Sequence, residues 1–223
     1  MPDVLGMVLP NAVAIAISPL PVVAVILILM APQSRLRGVV FLIGWFFGVV
    51  VATGLFALLA DVIPATDSSA AHTIVSIVQI VLGSGLLWLG WRHWRTRPAP
   101  GKTPMLPAWM SKLDTLSASM SGALAFALSA VNPKNLLVAA SAGSVLGTLG
   151  TTSPELWAAV GVFALLASLS VLVPVVLVVV APATSRRVLT RIREWLTANS
   201  SVIMTTLFLI VGAHIIGTGI SAL

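Results

Sequence analysis

The chain has 223 residues, of which 58% are hydrophobic and only 8% are charged. A water-soluble domain of this length carries far more charge on its surface, so the composition, with a mean hydropathy of +1.09, predicts a polytopic membrane protein. The net charge of +6 does not predict nucleic-acid binding, because the basic residues lie in segments that connect apolar runs.

Six apolar segments are each long enough to cross a bilayer as a helix, which takes about 20 residues. In chain order they are 8–30, 38–60, 70–91, 119–142, 156–181 and 199–221. Their all-round apolar character predicts helices, since a membrane β-barrel alternates polar and apolar residues. We expect a first unit over 1–91, a cytoplasmic linker over 92–118 and a second unit over 119–223. Short interfacial helices are predicted at 107–116 and at 186–196.

Eleven of the twelve Lys and Arg residues lie in three connecting segments. They are Arg35, Arg37, Arg92, Arg95, Arg97, Lys102, Lys112, Arg186, Arg187, Arg191 and Arg193. By the positive-inside rule these segments are cytoplasmic, so we expect a multi-pass protein of the bacterial inner membrane with both termini outside. Tryptophan side chains prefer the same interface, and Trp88, Trp91, Trp94, Trp109 and Trp195 fall near it.

Lys134 is the exception, because it lies inside the fourth apolar segment, in the sequence Asn-Pro-Lys-Asn. A charge within a membrane span is unfavourable and by default marks a functional site. No Asp or Glu falls inside a predicted span, so we expect its partner to be a substrate anion, water, backbone carbonyls or a lipid phosphate. The alternative is that Lys134 lies nearer the outer interface and extends its ammonium towards water.

The two halves of the chain resemble each other. Pro19 in the first segment matches Pro133 in the fourth, and Gly83 in the third matches Gly212 in the sixth. Three spans in each half require the halves to be inverted. We therefore predict an all-α protein of six transmembrane helices in two inverted three-helix repeats, with helix 1 broken at Pro19 and Pro21 and helix 4 broken at Pro133. Paired broken spans of this kind are typical of transporter binding sites. The glycines would allow spans 3 and 6 to pack closely.

Five further side chains are candidate substrate-binding residues beside Lys134. Asn132 and Asn135 are predicted either to bind sugar hydroxyls or phosphate, or to cap the two half-helices. Ser18 can bond the backbone groups that a proline break sets free. His214 either makes a helix–helix hydrogen bond, as a lone histidine in a span often does, or relays protons or binds substrate, and for Gln79 the structural hydrogen bond is favoured.

The sequence does not predict an enzyme. It has no cysteine, and its three histidines, His72, His93 and His214, are too dispersed for a zinc site. No catalytic triad or phosphate-binding loop can be assembled either. We therefore expect no catalytic residue, no metal and no cofactor.

Several motifs resemble those of a known family. They are the segments 16–27, 31–35, 41–45, 107–114 and 127–137, the last of which contains Asn-Pro-Lys-Asn. They resemble the GAP family of glycopeptidolipid- and sulfolipid-addressing proteins, which belongs to the lysine-exporter superfamily. The resemblance covers most of the chain. It implies six spans and the export of envelope glycolipids in actinobacteria.

The favoured function is transport of an anionic or glycosylated lipid, or a lipid precursor, with Lys134 attracting the headgroup while Asn132 and Asn135 bind its hydroxyls. Two alternatives stay open. One is the export of a small polar solute such as an amino acid, which a purely polar, laterally closed cavity would favour. The other is a scaffold that recruits envelope lipid synthesis or export proteins through 92–118. The expected partners are membrane lipids, an anionic phospholipid or glycolipid above all, and a second copy packed through glycine-rich faces.

Overall fold

The computed structural model describes residues 2–31, 34–62, 69–97, 110, 113 and 115–221. The described residues form eight helices and no strand. The helices are α1 (Pro2–Ala16), α2 (Pro19–Met30), α3 (Ser34–Val62), α4 (Ser69–Arg95), α5 (Ala118–Ala130), α6 (Pro133–Gly147), α7 (Pro154–Val180) and α8 (Pro182–Ser221). The interfacial helix predicted at 107–116 lies mostly outside the described residues.

Length and composition of the helices make the chain an α-helical membrane protein. In the described part, α3, α7 and α8 each contain a segment long and apolar enough to cross a membrane, and the count rises to five if each of two bent helix pairs forms one span. The predicted third span corresponds to α4, which has 27 residues but is not among these five. Six spans therefore stay a prediction.

Two helix pairs are bent where the sequence predicted breaks. The pair α1–α2 bends by 53° and the pair α5–α6 by 62°. The second helix of each pair begins with proline, which lacks an N–H group and disfavours a helical conformation in the residue before it. That residue is extended in both pairs, with φ −71° and ψ 113° at Ser18 and φ −63° and ψ 121° at Asn132. Pro21 makes no second break and lies in the first turn of α2.

The last helix is unusually long. α8 has 40 residues, which corresponds to about 60 Å of helix, or about twice the thickness of a hydrocarbon core. The segment 186–196, for which a separate interfacial helix was expected, is instead the continuous beginning of α8. No residue between it and the sixth predicted span interrupts the backbone ladder, since neither proline nor glycine occurs between 183 and 211.

The helices divide into two groups. α4 packs along α8, whereas α3 packs on α5, α6 and α7, and α1 packs on α6 and α7. The first two form a pair, here called the α4–α8 pair, and the other six form the six-helix body. The two groups meet mainly through α8, which contacts α2 and α7.

Glycines bring the two helices of the α4–α8 pair into backbone contact. A Cβ atom added to Gly83 would lie 2.7 Å from the carbonyl oxygen of Gly212. Reciprocally, a Cβ atom on Gly212 would lie 2.9 Å from the carbonyl oxygen of Gly83. The absence of side chains at both positions therefore permits the close approach that the sequence predicted, as in other membrane helix pairs with small residues at their interface.

The C-terminal end of α4 carries three exposed tryptophans, each next to an arginine. Arg92 lies over Trp88, Arg95 over Trp91 and Arg97 over Trp94, with 5.6, 4.7 and 3.8 Å between guanidinium carbon and ring centre. Cation–π pairs of this kind hold the guanidinium groups beside the indole rings, which prefer the headgroup region of a membrane. This end of α4 is thus suited to a membrane interface.

We expect Gly83→Ala to destabilise the protein, because the added methyl group overlaps the backbone of α8. The free energy of unfolding should fall by about 1–3 kcal/mol, which lowers the melting temperature in detergent by roughly 2–4 °C per kcal/mol. Gly85→Ala is the matched control, since nothing lies within 4 Å of a Cβ atom there. Equal melting temperatures for the two variants would contradict close α4–α8 packing.

Candidate functional site

The Asn-Pro-Lys-Asn sequence forms the beginning of α6, where Asn132 and Pro133 start the helix. Asn132 is the N-cap, and its Oδ1 accepts a hydrogen bond from the backbone N–H of Lys134 at 3.0 Å. Pro133 occupies the first helical position, where its missing N–H would have no partner in any case. These two residues thus determine where α6, the second helix of the bent pair, begins.

Lys134 closes the end of a different helix, α1. Its side chain is buried, and its Nζ donates to the carbonyl oxygen of Ala14 at 2.7 Å and to the hydroxyl of Ser18. The Ala14 carbonyl has lost its usual helical partner, because the N–H of Ser18 bonds to Ile15 instead, at 3.3 Å. The ammonium therefore lies at the negative end of the α1 dipole and caps a carbonyl that the break has set free.

Asn135 does the same for α5. Its side chain is 1% exposed, and its Nδ2 donates to the carbonyl oxygen of Leu128 at 3.1 Å. Leu128 stands as far before Pro133 as Ala14 stands before Pro19, namely five positions. The last turns of the two interrupted helices are thus capped by consecutive side chains of α6.

A cavity of about 560 Å³ lies between the six-helix body and the α4–α8 pair. Its polar lining comprises Ser18, His93, Thr96, Asn132, Lys134, Thr197, Ser200 and Ser201. Its apolar lining comprises Leu20, Val23, Leu89, Met110, Leu196, Met204 and Phe208, with Pro19, Pro21 and Pro133 at the two helix breaks. Among the described residues of the lining, Lys134 is the only Lys, Arg, Asp or Glu. The cavity therefore combines one cation, several hydroxyls and an apolar wall.

The structure brings only some of the predicted site residues together. Ser18, Asn132 and Lys134 share the cavity, whereas Asn135 points into the contact with α5 and does not line it. Gln79 is half-buried on α4 and His214 is exposed on α8, and neither lines the cavity.

Sequence reasoning missed the opposite wall of the cavity. His93 lies just beyond the predicted third span, and its ring contacts Phe208 with 5.5 Å between ring centres. Partial burial and the adjacent charge of Arg92 lower the pKa of His93, which favours the neutral form of its ring. The hydroxyls of α8 were missed because Ser and Thr at the start of an apolar segment resemble an ordinary interface. Only the pairing of α4 with α8 places them opposite Lys134.

Asn11 is a second polar residue that was missed. It is 2% exposed on α1, and its Nδ2 donates to the Ser141 hydroxyl at 3.1 Å and to the Val138 carbonyl at 3.4 Å, both on α6. These bonds tie α1 to α6 beside the contact made by Lys134. An amide in an otherwise apolar run was the available signal.

A family model described as "Sap, sulfolipid-1-addressing protein" matches residues 8–221, which include both helix breaks and every residue of the cavity lining. The chain belongs to the sulfolipid-1-addressing protein family. No curated protein and no solved structure matches it significantly. Membership in the Sap family agrees with the resemblance to sulfolipid-addressing proteins seen in the sequence. The wider GAP and lysine-exporter relationships stay predictions.

Removing the α5 cap should destabilise this Sap-family protein. Asn135→Ala leaves the Leu128 carbonyl without its donor, and we expect the free energy of unfolding to fall by about 1–3 kcal/mol. The matched control is Asn199→Ala, since Asn199 donates to the exposed Trp195 carbonyl one turn back on α8, and a change within about 0.5 kcal/mol is expected there. Thermal unfolding in detergent compares the two variants. An equal loss of unfolding free energy would show that the Asn135 cap contributes no more than an exposed hydrogen bond.

Proposed function

We propose that the protein transports an anionic lipid, or the precursor of one, across the bacterial inner membrane, and that the headgroup binds in the cavity at Lys134. The observation that carries this proposal is the mixed lining of the cavity. A buried ammonium and several hydroxyls stand beside an apolar wall, which suits a molecule with a charged, polar head and an apolar tail. A small polar solute would have no apolar group to contact the apolar wall. The family description, which concerns a sulfolipid, supports a lipid as well.

Lys134 can hold an anion without leaving its place. An ammonium has three N–H groups, and two of them bond to Ala14 and Ser18. The third is free to donate to a ligand in the cavity that Lys134 lines. A charge-assisted hydrogen bond of this kind is strong where water is scarce, and no carboxylate in the described lining competes for the ammonium.

The helix ends around the cavity add to its attraction for anions. α2 and α6 begin at the cavity, since Pro19 and Pro133 line it, so the positive ends of their dipoles lie there. The negative ends of α1 and α5 are covered by Lys134 and Asn135. Asn132 caps one N–H group at the start of α6, and no side chain caps the start of α2. The positive ends thus face the cavity while the negative ends are covered, which favours a phosphate or sulfate group over a cation.

The volume indicates how much of the lipid enters. About 560 Å³ is the size of a pocket for a drug-sized molecule and accommodates a headgroup rather than two acyl chains. Leu20, Val23 and Met204 would contact the first carbons of the chains, whose remainder would stay in the surrounding bilayer. Transport would then move the head through the protein while the tails remain in lipid.

The proposal includes the inverted repeat. Each half has a bent pair with proline in the first helical position and a freed carbonyl five positions earlier. The packing is reciprocal as well, because α3 contacts α5 and α6 while α7 contacts α1 and α2. With the basic end of α4 in the cytoplasm, the cavity would open to the cytoplasmic side and both termini would lie outside.

The test is the lipid that copurifies with the protein, and its transport in vesicles. Lys134→Gln keeps a hydrogen-bond donor for Ala14 but removes the charge, so we expect it to lose an anionic lipid that native mass spectrometry finds enriched on the wild type. Transport of that lipid in reconstituted vesicles should fall at least about tenfold, the equivalent of one charge-assisted hydrogen bond. Arg187→Gln is the control, because this arginine is exposed on α8 and does not line the cavity.

Lys134→Ala gives the stronger version of the same test and also removes the cap of α1, so its melting temperature must be measured alongside. If wild type and both variants carry the same unselective lipid and transport equally, Lys134 has only a structural role. Uptake of amino acids into the same vesicles would then identify a small-solute exporter. Loss of function on mutating Arg95 and Arg97, which do not line the cavity, while the Lys134 variants keep function, would identify a scaffold.

A further inference from the structure

The cavity ends at a dry contact between the two groups of helices. Beyond Lys134 lies a narrow crevice with no space for a water molecule. It is lined by Ala14, Leu86, Val138, Leu207 and Val211. Lys134 and Phe208 border both the cavity and this crevice. These two residues therefore lie at the boundary between the open cavity and the closed crevice.

The crevice follows the boundary between the two groups of helices. Ala14 and Val138 belong to the six-helix body, whereas Leu86, Leu207 and Val211 belong to the α4–α8 pair. Apart from Lys134 at its border with the cavity, the side chains that line the crevice are apolar on both sides. We call this contact the seam.

The order of residues along α4 and α8 shows which end is closed. The cavity is lined by 89, 93 and 96 of α4, towards the end that carries the arginine–tryptophan pairs. The seam is formed by 86 of α4, on the opposite side. On α8, residues 196, 197, 200, 201 and 204 line the cavity, 207 and 211 line the seam, and Phe208 lies at the transition. A headgroup at Lys134 can therefore leave towards the other end only if the seam opens.

We propose that Phe208 is the gate residue of this path, and that the α4–α8 pair moves as one unit against the six-helix body to open the seam. This inference rests on the proposed transport function. Phe208 is 3% exposed, and a Cβ atom on Gly90 would lie 3.0 Å from its Cβ. The absence of a side chain at Gly90 thus leaves room for Phe208 to pack against α4. Removal of the ring would leave a gap between cavity and seam that water can enter.

The hydrogen bonds near the seam run within each group. Lys134 bonds to Ala14 inside the six-helix body, as Asn11 bonds to Ser141. Within the α4–α8 pair, the hydroxyl of Thr205 contacts the Gly90 carbonyl at 3.5 Å, and glycines bring the two backbones together. A sliding motion at the seam would leave these bonds intact, as in shear movements of packed helices. Lys134 would keep its position while Phe208 moves away from it.

The chain contains no cysteine, so single cysteines can report which positions water reaches. Ser201→Cys lines the cavity and Val211→Cys lines the seam. In vesicles with one orientation of the protein, a membrane-impermeant maleimide applied on the cavity side should label Ser201→Cys and spare Val211→Cys. Adding Phe208→Ala should increase labelling of Val211→Cys from that side at least about tenfold.

Leu209→Ala is the matched control, since Leu209 is the next residue on α8 and is 47% exposed. It should leave Val211→Cys protected. Phe208→Leu, which keeps an apolar side chain of smaller volume, should give an intermediate rate and covers the case in which Phe208→Ala does not fold. The gate would be overturned if Val211→Cys stayed protected from the maleimide in both Phe208 variants. It would also be overturned if Leu209→Ala exposed Val211→Cys to the same extent as the Phe208 variants.

These experiments need no lipid, so their failure is separable from failure of the proposed function. Normal lipid transport together with an unaffected Val211→Cys would reject the gate and keep the transporter. The opposite outcome is also distinguishable. The Phe208 variants would then expose Val211→Cys to the maleimide, while the Lys134 variants would carry the same lipids as the wild type. That result would support the gate and reject the lipid as the transported molecule.

Discussion

The hydrogen bond from Lys134 to the Ala14 carbonyl is the interaction on which the site depends. A helix that ends inside a membrane leaves carbonyl oxygens that bulk water does not reach, and such groups are costly to leave unpaired. Here an ammonium satisfies the end of α1 and an amide, that of Asn135, satisfies the end of α5. Each group needs the other, because a buried cation also requires oxygen partners. The two breaks are thus stable, and the space between them becomes a cavity.

The same arrangement is the reason why we expect the cavity to favour anions. A broken helix contributes two termini of opposite polarity, and they would cancel if both were free. Side chains of α6 cover the negative termini, so we expect the positive termini of α2 and α6 to act on a ligand, although Asn132 bonds one N–H group of α6. The hydroxyls of Ser200 and Ser201 on α8 complete the polar surface without adding charge. Charge and hydrogen bonding therefore come from different groups of helices, and a headgroup would contact both.

Local chemistry explains what the sequence could predict. Pro19 and Pro133 break their helices whatever surrounds them, and an isolated lysine in an apolar run must find oxygen partners, so both features were foreseen. The tertiary structure decides which oxygens the lysine contacts, since Ala14 is distant in sequence and nothing in its own type marks it as a partner. His93 was likewise assigned to a linker, because nothing near it indicates that α4 continues against α8. The continuous helix at 186–196 escaped prediction because an amphipathic basic segment has the same pattern on a membrane surface as in an extended helix.

The length of α8 has a mechanical consequence. A single helix of 40 residues reaches from beyond the basic segment at 186–193 to the seam and past it, without proline or glycine before Gly212. Uninterrupted helices bend only gently, so a tilt imposed at one end appears at the other. We therefore expect α8 to act as a lever, with the positively charged segment 186–193 on one arm and Phe208 on the other. A force on the basic arm, from acidic headgroups or from a neighbouring protein, would then reach the seam at Phe208.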